Sequence, residues 1–116
     1  MLNEPKPTTL TAETVLATLR QQPNLFEQYN IKTLALFGST ARNQATEHSD
    51  LDFLVEFAGD PTLNLYMSLK FFLEDLFQKK IDLVIQEDIK PQIKESIIQK
   101  AIYVTQPQTV SSGYSQ

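Results

Sequence analysis

The 116-residue chain contains no cysteine, which excludes disulfide bridges and thiolate metal sites and makes the cytoplasm the expected compartment. No apolar run approaches the ~20 residues that a membrane span requires. The opening residues, MLNEPKPTTL, lack the basic-then-apolar plan of a secretory signal. Basic side chains are scarce, with 10 Lys and Arg against 14 Asp and Glu and a net charge of −4. Lys79-Lys80 is the only basic pair, so neither a direct grip on nucleic acid nor a membrane role is expected. What is present is an ordinary globular composition, 41% hydrophobic and 21% charged, in a length that suits one domain.

Taken in order, residues 1–10 read as an irregular leader with two prolines. Thr11 can cap a helix running to about Gln22, with Val15, Leu16 and Leu19 on one face. Pro23 ends it, and residues 24–29 allow at most another turn or two of helix. Ile31 to Phe37 is the first strand, stopped by Gly38. A short helix is expected over Ser39 to Asn43, with its exposed amides facing whatever lies beyond the strand end. A polar loop follows to His48, then a second strand over Asp50 to Phe57, a turn at Ala58-Gly59-Asp60-Pro61 and a long helix over Leu63 to Gln78. Ile81 to Ile85 is a third strand. Pro91 fits the first turn of a helix reaching about Ala101, and Ile102 to Thr105 adds a short strand. The pattern predicts an α/β (α+β) fold, a mixed sheet with helices mainly on one face, in a single domain over 11–105. The polar Gly/Ser-containing segment 106–116 is expected to be disordered. The short link between the first two strands leaves their relative direction open.

The chemistry sits in Leu34 to Val55, LALFGSTARNQATEHSDLDFLV. In a strand, Asp50 and Asp52 share a face at roughly 6–7 Å between Cα atoms, while Leu51 and Phe53 turn to the other. Paired carboxylates in an apolar strand repel each other and resist desolvation. Divalent cations between them would relieve both costs. Asp82 interrupts the third strand in the same way, and would complete a three-carboxylate cluster if that strand lies beside the second. All-oxygen sets of this kind suit Mg²⁺ or Mn²⁺, and two such ions about 4 Å apart can clamp an in-line phosphoryl displacement. Gly38 lets the backbone approach a phosphate, the Ser39 hydroxyl can donate to its oxygens, and Arg42 can offset triphosphate charge. His48 is expected to be a solvated loop residue, and Glu56 a solvent-facing strand end.

Gly38-Ser39, ten residues and Asp50-Leu51-Asp52 resemble the GSx10DxD signature of the DNA polymerase β-like nucleotidyltransferases. Ser-Thr-Ala-Arg after the glycine, in so short a chain, resembles the minimal nucleotidyltransferase (MNT) group. The likeness continues at Ile81-Asp82-Leu83-Val84, the usual place of the third metal carboxylate, and spans roughly Leu34 to Val104. Asn43 stands where the group often has glycine, and Lys100 where it often has an acid. The resemblance implies a polymerase β-like palm with Asp50, Asp52 and Asp82 as catalytic and metal residues. It also implies two Mg²⁺ (or Mn²⁺) ions, ATP as substrate, and Gly38, Ser39 and Arg42 on its phosphates.

Larger relatives carry further domains that hold the acceptor, so a separate molecule is expected to present it here. For the MNT group the resemblance implies a HEPN-domain ribonuclease toxin, with the MNT protein as its antitoxin. The implied reaction is transfer of AMP from ATP to a toxin tyrosine. Two alternatives stand beside it: an antitoxin that only masks the toxin, and a nucleotidyltransferase subunit acting on a small molecule or RNA. On the long helix, Leu65, Leu69, Phe72 and Leu76 form the core stripe, widened by Tyr66, Leu73 and Phe77. Met67 and Phe71 fall on the far side, as a contact patch for another chain or as packing under the turn at 58–61.

Overall fold

The computed structural model describes residues 10–46 and 48–104. The expected disordered tail, and all of the expected leader except Leu10, lie outside the described residues. The elements are α1 (Ala12–Arg20), α2 (Leu25–Gln28), β1 (Ile31–Phe37), α3 (Gly38–Ala41), β2 (Leu51–Phe57), α4 (Leu63–Phe77), β3 (Ile81–Ile85), α5 (Pro91–Lys100) and β4 (Ile102–Tyr103). A 3-10 turn, Gln86–Asp88, joins β3 to the approach of α5.

Local chemistry explains most of the boundaries. Thr11 and Thr62 each accept a backbone N–H three residues on, from Thr14 and Leu65, and so cap α1 and α4. Pro91 opens α5, where a missing N–H costs nothing. α4 stops at Gln78, which takes the left-handed conformation at φ 54°.

The four strands lie in the order β3-β2-β1-β4. β1 pairs antiparallel with both β2 and β4, which settles the direction that the short connection left open. β2 and β3 are parallel, joined across α4, with Asp52 opposite Asp82. Alternation then sorts the side chains. Leu34 and Leu36 of β1, Leu51, Phe53 and Val55 of β2, and Ile81 and Leu83 of β3 join the main core under α1, α2 and α4. Phe53 stacks on Phe77 of α4 at 6.1 Å between ring centroids. Ala35 and Leu54 face the other way and form a smaller cluster with Ile89, Phe37, Val84, Ile97 and Ile98. Helices therefore lie mainly on one face, and α5 alone covers part of the second. This is the mixed α/β sheet that the pattern predicts.

Candidate active site

The second face carries the acids. Asp52 falls between Leu51 and Phe53, which point into the main core, and so shares its face with Leu54. By the same alternation Asp82 shares a face with Val84. The parallel register sets the two carboxylates side by side, and they are close enough to hydrogen bond. The Asp52 carboxyl is pushed up to about 6, first by burial, then by the negative charges of Asp82 and Asp50; the Arg42 guanidinium opposes the rise.

Asp50 departs from expectation. β2 begins at Leu51, so Asp50 stands one residue ahead of the ladder and is exposed. Among the described residues no three carboxylate or imidazole groups are gathered into a ready-made metal cage. Two of the three predicted carboxylates meet, and the third acts on Asp52 through its charge. The cause is elementary: no strand pairing fixes Asp50, and like-charge repulsion turns its side chain towards water. The donor set still fits a hard divalent cation. Asp52 and Asp82 offer acceptor-only oxygens side by side, and the strain recorded in the raised Asp52 pKa is what a cation there relieves.

Gly38 is the tightest element of the site. It opens α3 with φ +78°, directly after Phe37, the β-ladder partner of Asp52. A Cβ here would overlap the Asp52 carboxylate and stand 3.0 Å from Cγ and 3.2 Å from Cβ of that residue. Only glycine permits both the backbone angle and the approach. Ser39 follows, half-buried. Arg42 ends α3, is exposed, and donates from Nε to Gln44 Oε1 at 3.1 Å. Glu56 lies off the site, accepting from Thr33 Oγ1 at 3.2 Å and pairing with Lys32 at 3.7 Å. His48 is exposed and lines a cleft of about 390 Å³ with Asp50, Phe77 and Lys80.

Asn43, Tyr66 and Leu63 have roles that a reading of motifs alone does not assign. Asn43 holds φ 56°, the left-handed region that glycine and asparagine share, and its Oδ1 accepts the Ala12 N–H at 3.0 Å. It thus meets the backbone demand at a position where the MNT group often has glycine, and ties α3 to α1. Tyr66 donates to the Leu83 carbonyl at 2.6 Å, fixing β3 next to Asp82; burial and the Asp82 charge raise its pKa. On α4, Phe71 is 57% exposed and Met67 half-buried, and Leu63, four residues before Met67, is 75% exposed. The i, i+4, i+8 spacing of Leu63, Met67 and Phe71 was the available signal. A cavity of about 520 Å³ lies between Leu63 and Tyr66 of α4 and Leu83 to Ile85 of β3, and Asp50, Asp52 and Asp82 do not line it.

Comparison with known proteins bears on the family and the fold. Residues 19–104 match the nucleotidyltransferase domain family. A Methanocaldococcus jannaschii protein provisionally named a protein adenylyltransferase is 49% identical over 81 residues, covering 69% of this chain and 83% of its own. The protein adenylyltransferase MntA of Thermococcus cleftensis is 32% identical over 92 residues, covering 79% and 91%. A solved structure provisionally described as a minimal nucleotidyltransferase superposes with TM-score 0.65 at 35% identity, over 75% of this chain and 93% of its own. A toxin–antitoxin structure with AMP-PNP shares the fold, with TM-score 0.64 at 17% identity over 80% and 74%. The chain belongs to the nucleotidyltransferase domain family, in its minimal nucleotidyltransferase group.

Proposed function

We propose that this protein is an antitoxin that works as a Mg²⁺-dependent protein adenylyltransferase, moving AMP from ATP to a tyrosine of a cognate HEPN ribonuclease toxin. The observation that carries the reading is the Asp52–Asp82 pair, set side by side on adjacent parallel strands with Gly38 pressed against Asp52. Relatives named protein adenylyltransferase support the reaction class. A toxin–antitoxin structure of the same fold, solved with AMP-PNP, supports the substrate, and a tri-AMPylated HEPN toxin in complex with an MNT antitoxin supports the partner.

In the reaction, the acceptor tyrosine oxygen attacks the α-phosphorus of ATP. The bond from that phosphorus to the bridging oxygen breaks, and pyrophosphate leaves with its electron pair. Asp50, Asp52 and Asp82 would hold two Mg²⁺ (or Mn²⁺) ions, which supply charge neutralisation at the phosphates and a lowered pKa at the acceptor hydroxyl. Gly38 lets the strand end close against the Asp52 carboxylate, and its backbone would lie beside the phosphates. The Ser39 hydroxyl donates to a phosphate oxygen, and Arg42 brings the positive charge that Asp52 already feels. Asp82, on edge strand β3, takes the tyrosyl proton.

The partner meets the stripe of Leu63, Met67 and Phe71, because exposed Leu63 and Phe71 with half-buried Met67 between them along one helix suit a second helical surface. The same stripe is what favours masking as a second reading. Co-expression with a candidate HEPN toxin, then labelled ATP and Mg²⁺, separates the two. Label on a partner tyrosine, lost by at least ~10³-fold in Asp52→Ala, supports transfer. Full protection by an Asp50→Ala/Asp52→Ala protein supports masking. Label on RNA or a small molecule instead refutes the protein acceptor. Phe71→Asp is expected to weaken partner capture by about tenfold or more while the fold stays intact; unchanged capture removes this face from the interface.

A further inference from the structure

A departing pyrophosphate carries several negative charges, and Asp50, Asp52 and Asp82 all repel it. A cleft of about 300 Å³ between α3 and α5 answers that problem, lined by Phe37, Gly38, Arg42, Ser96, Ile97 and Lys100. Gly38 belongs both to this cleft and to the contact with Asp52, so the cleft lies next to that carboxylate without being lined by it. Its two walls carry one cation each, Arg42 from the end of α3 and Lys100 from the last turn of α5. Lys100 is exposed, and the one ion pair among the described residues, Lys32–Glu56, does not involve it. Whole-ligand pockets run from roughly 300 to 1,000 Å³, so this volume suits part of a nucleotide rather than all of it. With a cation on each wall and Ser96 on the α5 side, that part is anionic.

We propose that Lys100 reaches across the α3–α5 cleft to the β- and γ-phosphates of the nucleoside triphosphate, from the wall opposite Arg42. The proposal rests on the nucleotidyltransferase reading above and adds α5 to the site. Ser96 supplies a neutral donor, and half-buried Phe37 and Ile97 add apolar lining beside the charge-assisted contacts. An acid at position 100 would make this wall repel polyphosphate. Lysine there predicts a chain that discriminates ATP from AMP more sharply than its Lys100→Glu variant.

The test is equilibrium binding to the full chain, with Mg²⁺ and ~0.15 M salt to screen distant charge. The probes are ATP, AMP and inorganic tripolyphosphate. Lys100→Glu should weaken ATP and tripolyphosphate by roughly tenfold or more and AMP by less than about twofold, with Lys100→Arg close to wild type. Lys80→Glu, which makes the same change in net charge beside Asp50, should leave the ATP-to-AMP ratio in place. Thermal melts of all variants should coincide, since Lys100 and Lys80 are both exposed. If wild type binds ATP and Lys100→Glu binds it equally well, the cleft assignment falls and the nucleotidyltransferase reading survives. Equal losses for AMP and ATP, or the loss appearing in Lys80→Glu instead, also overturn the assignment. A wild-type chain that binds no triphosphate overturns both.

Discussion

The two faces of the sheet do opposite things with the same strands. Under α1 and α4, β2 presents Leu51, Phe53 and Val55, all with no measurable exposure. On the reverse the same strand presents Asp52, Leu54 and Glu56, and α5 covers only Leu54 and its neighbours. The difference teaches where stability and chemistry come from. One face gains free energy by excluding water; the other spends some by crowding charge, and holds its shape because the first face does not move.

The largest effect should come from breaking the quiet face. Phe53→Ala removes a fully buried ring that stacks on Phe77, and is expected to cost about 3–5 kcal/mol in a urea titration. A loss below about 1 kcal/mol would mean that the core collapses around the gap and that the faces differ less than their burial implies.

Gly38→Ala comes next, and acts across the boundary between the faces. The added methyl meets the Asp52 carboxylate, and alanine resists φ +78° by about 1–2 kcal/mol. Displacing Asp52 should lower nucleotidyl transfer by roughly a hundredfold, as misplacement of a reacting group by about 1 Å does. Full transfer with a normal melting temperature would show that the close approach is not needed.

Much of this contrast could be read from the sequence because alternation is a local rule. Asp52 and Asp82 interrupt runs such as Leu51–Val55 and Ile81–Ile85, so their faces follow from parity as soon as the strands are recognised. Their meeting was conditional, since nothing local says that β3 lies beside β2 rather than at the other edge. Asp50 belonged to the strand by motif spacing but not by pairing: the first hydrogen bond at that end is Leu51 N–H to the Lys80 carbonyl, one residue later. Asn43 stood out as a departure from glycine, and only its φ shows that it satisfies the same backbone demand. Lys100 is the clearest case of information that sequence does not carry. It lies 58 residues from Arg42 in a helix of weak pattern, and becomes part of a cleft only when α5 folds back over the second face.

The smallest effect concerns the free-energy cost of the crowded acids. Asp52 rises from 3.8 to about 6 on folding, so between those values the folded state holds more proton than the unfolded state. Stability therefore falls as pH rises through that window and stays lower above it. Asp52 is half-exposed, and solvent screening reduces the penalty to the order of 1 kcal/mol. Asp52→Asn removes the charge, and its amide can still donate to Asp82. At pH 7.5 with chelator the variant should melt above wild type by a few degrees, and at pH 3.5 the two should coincide. Saturating Mg²⁺ should reverse the order at pH 7.5, because a cation stabilises only the chain that keeps the carboxylate. A difference that ignores pH would place the effect in packing. A variant that melts lower at pH 7.5 without Mg²⁺ would mean that the acidic face is not strained, and the contrast between the two faces would reduce to exposure alone.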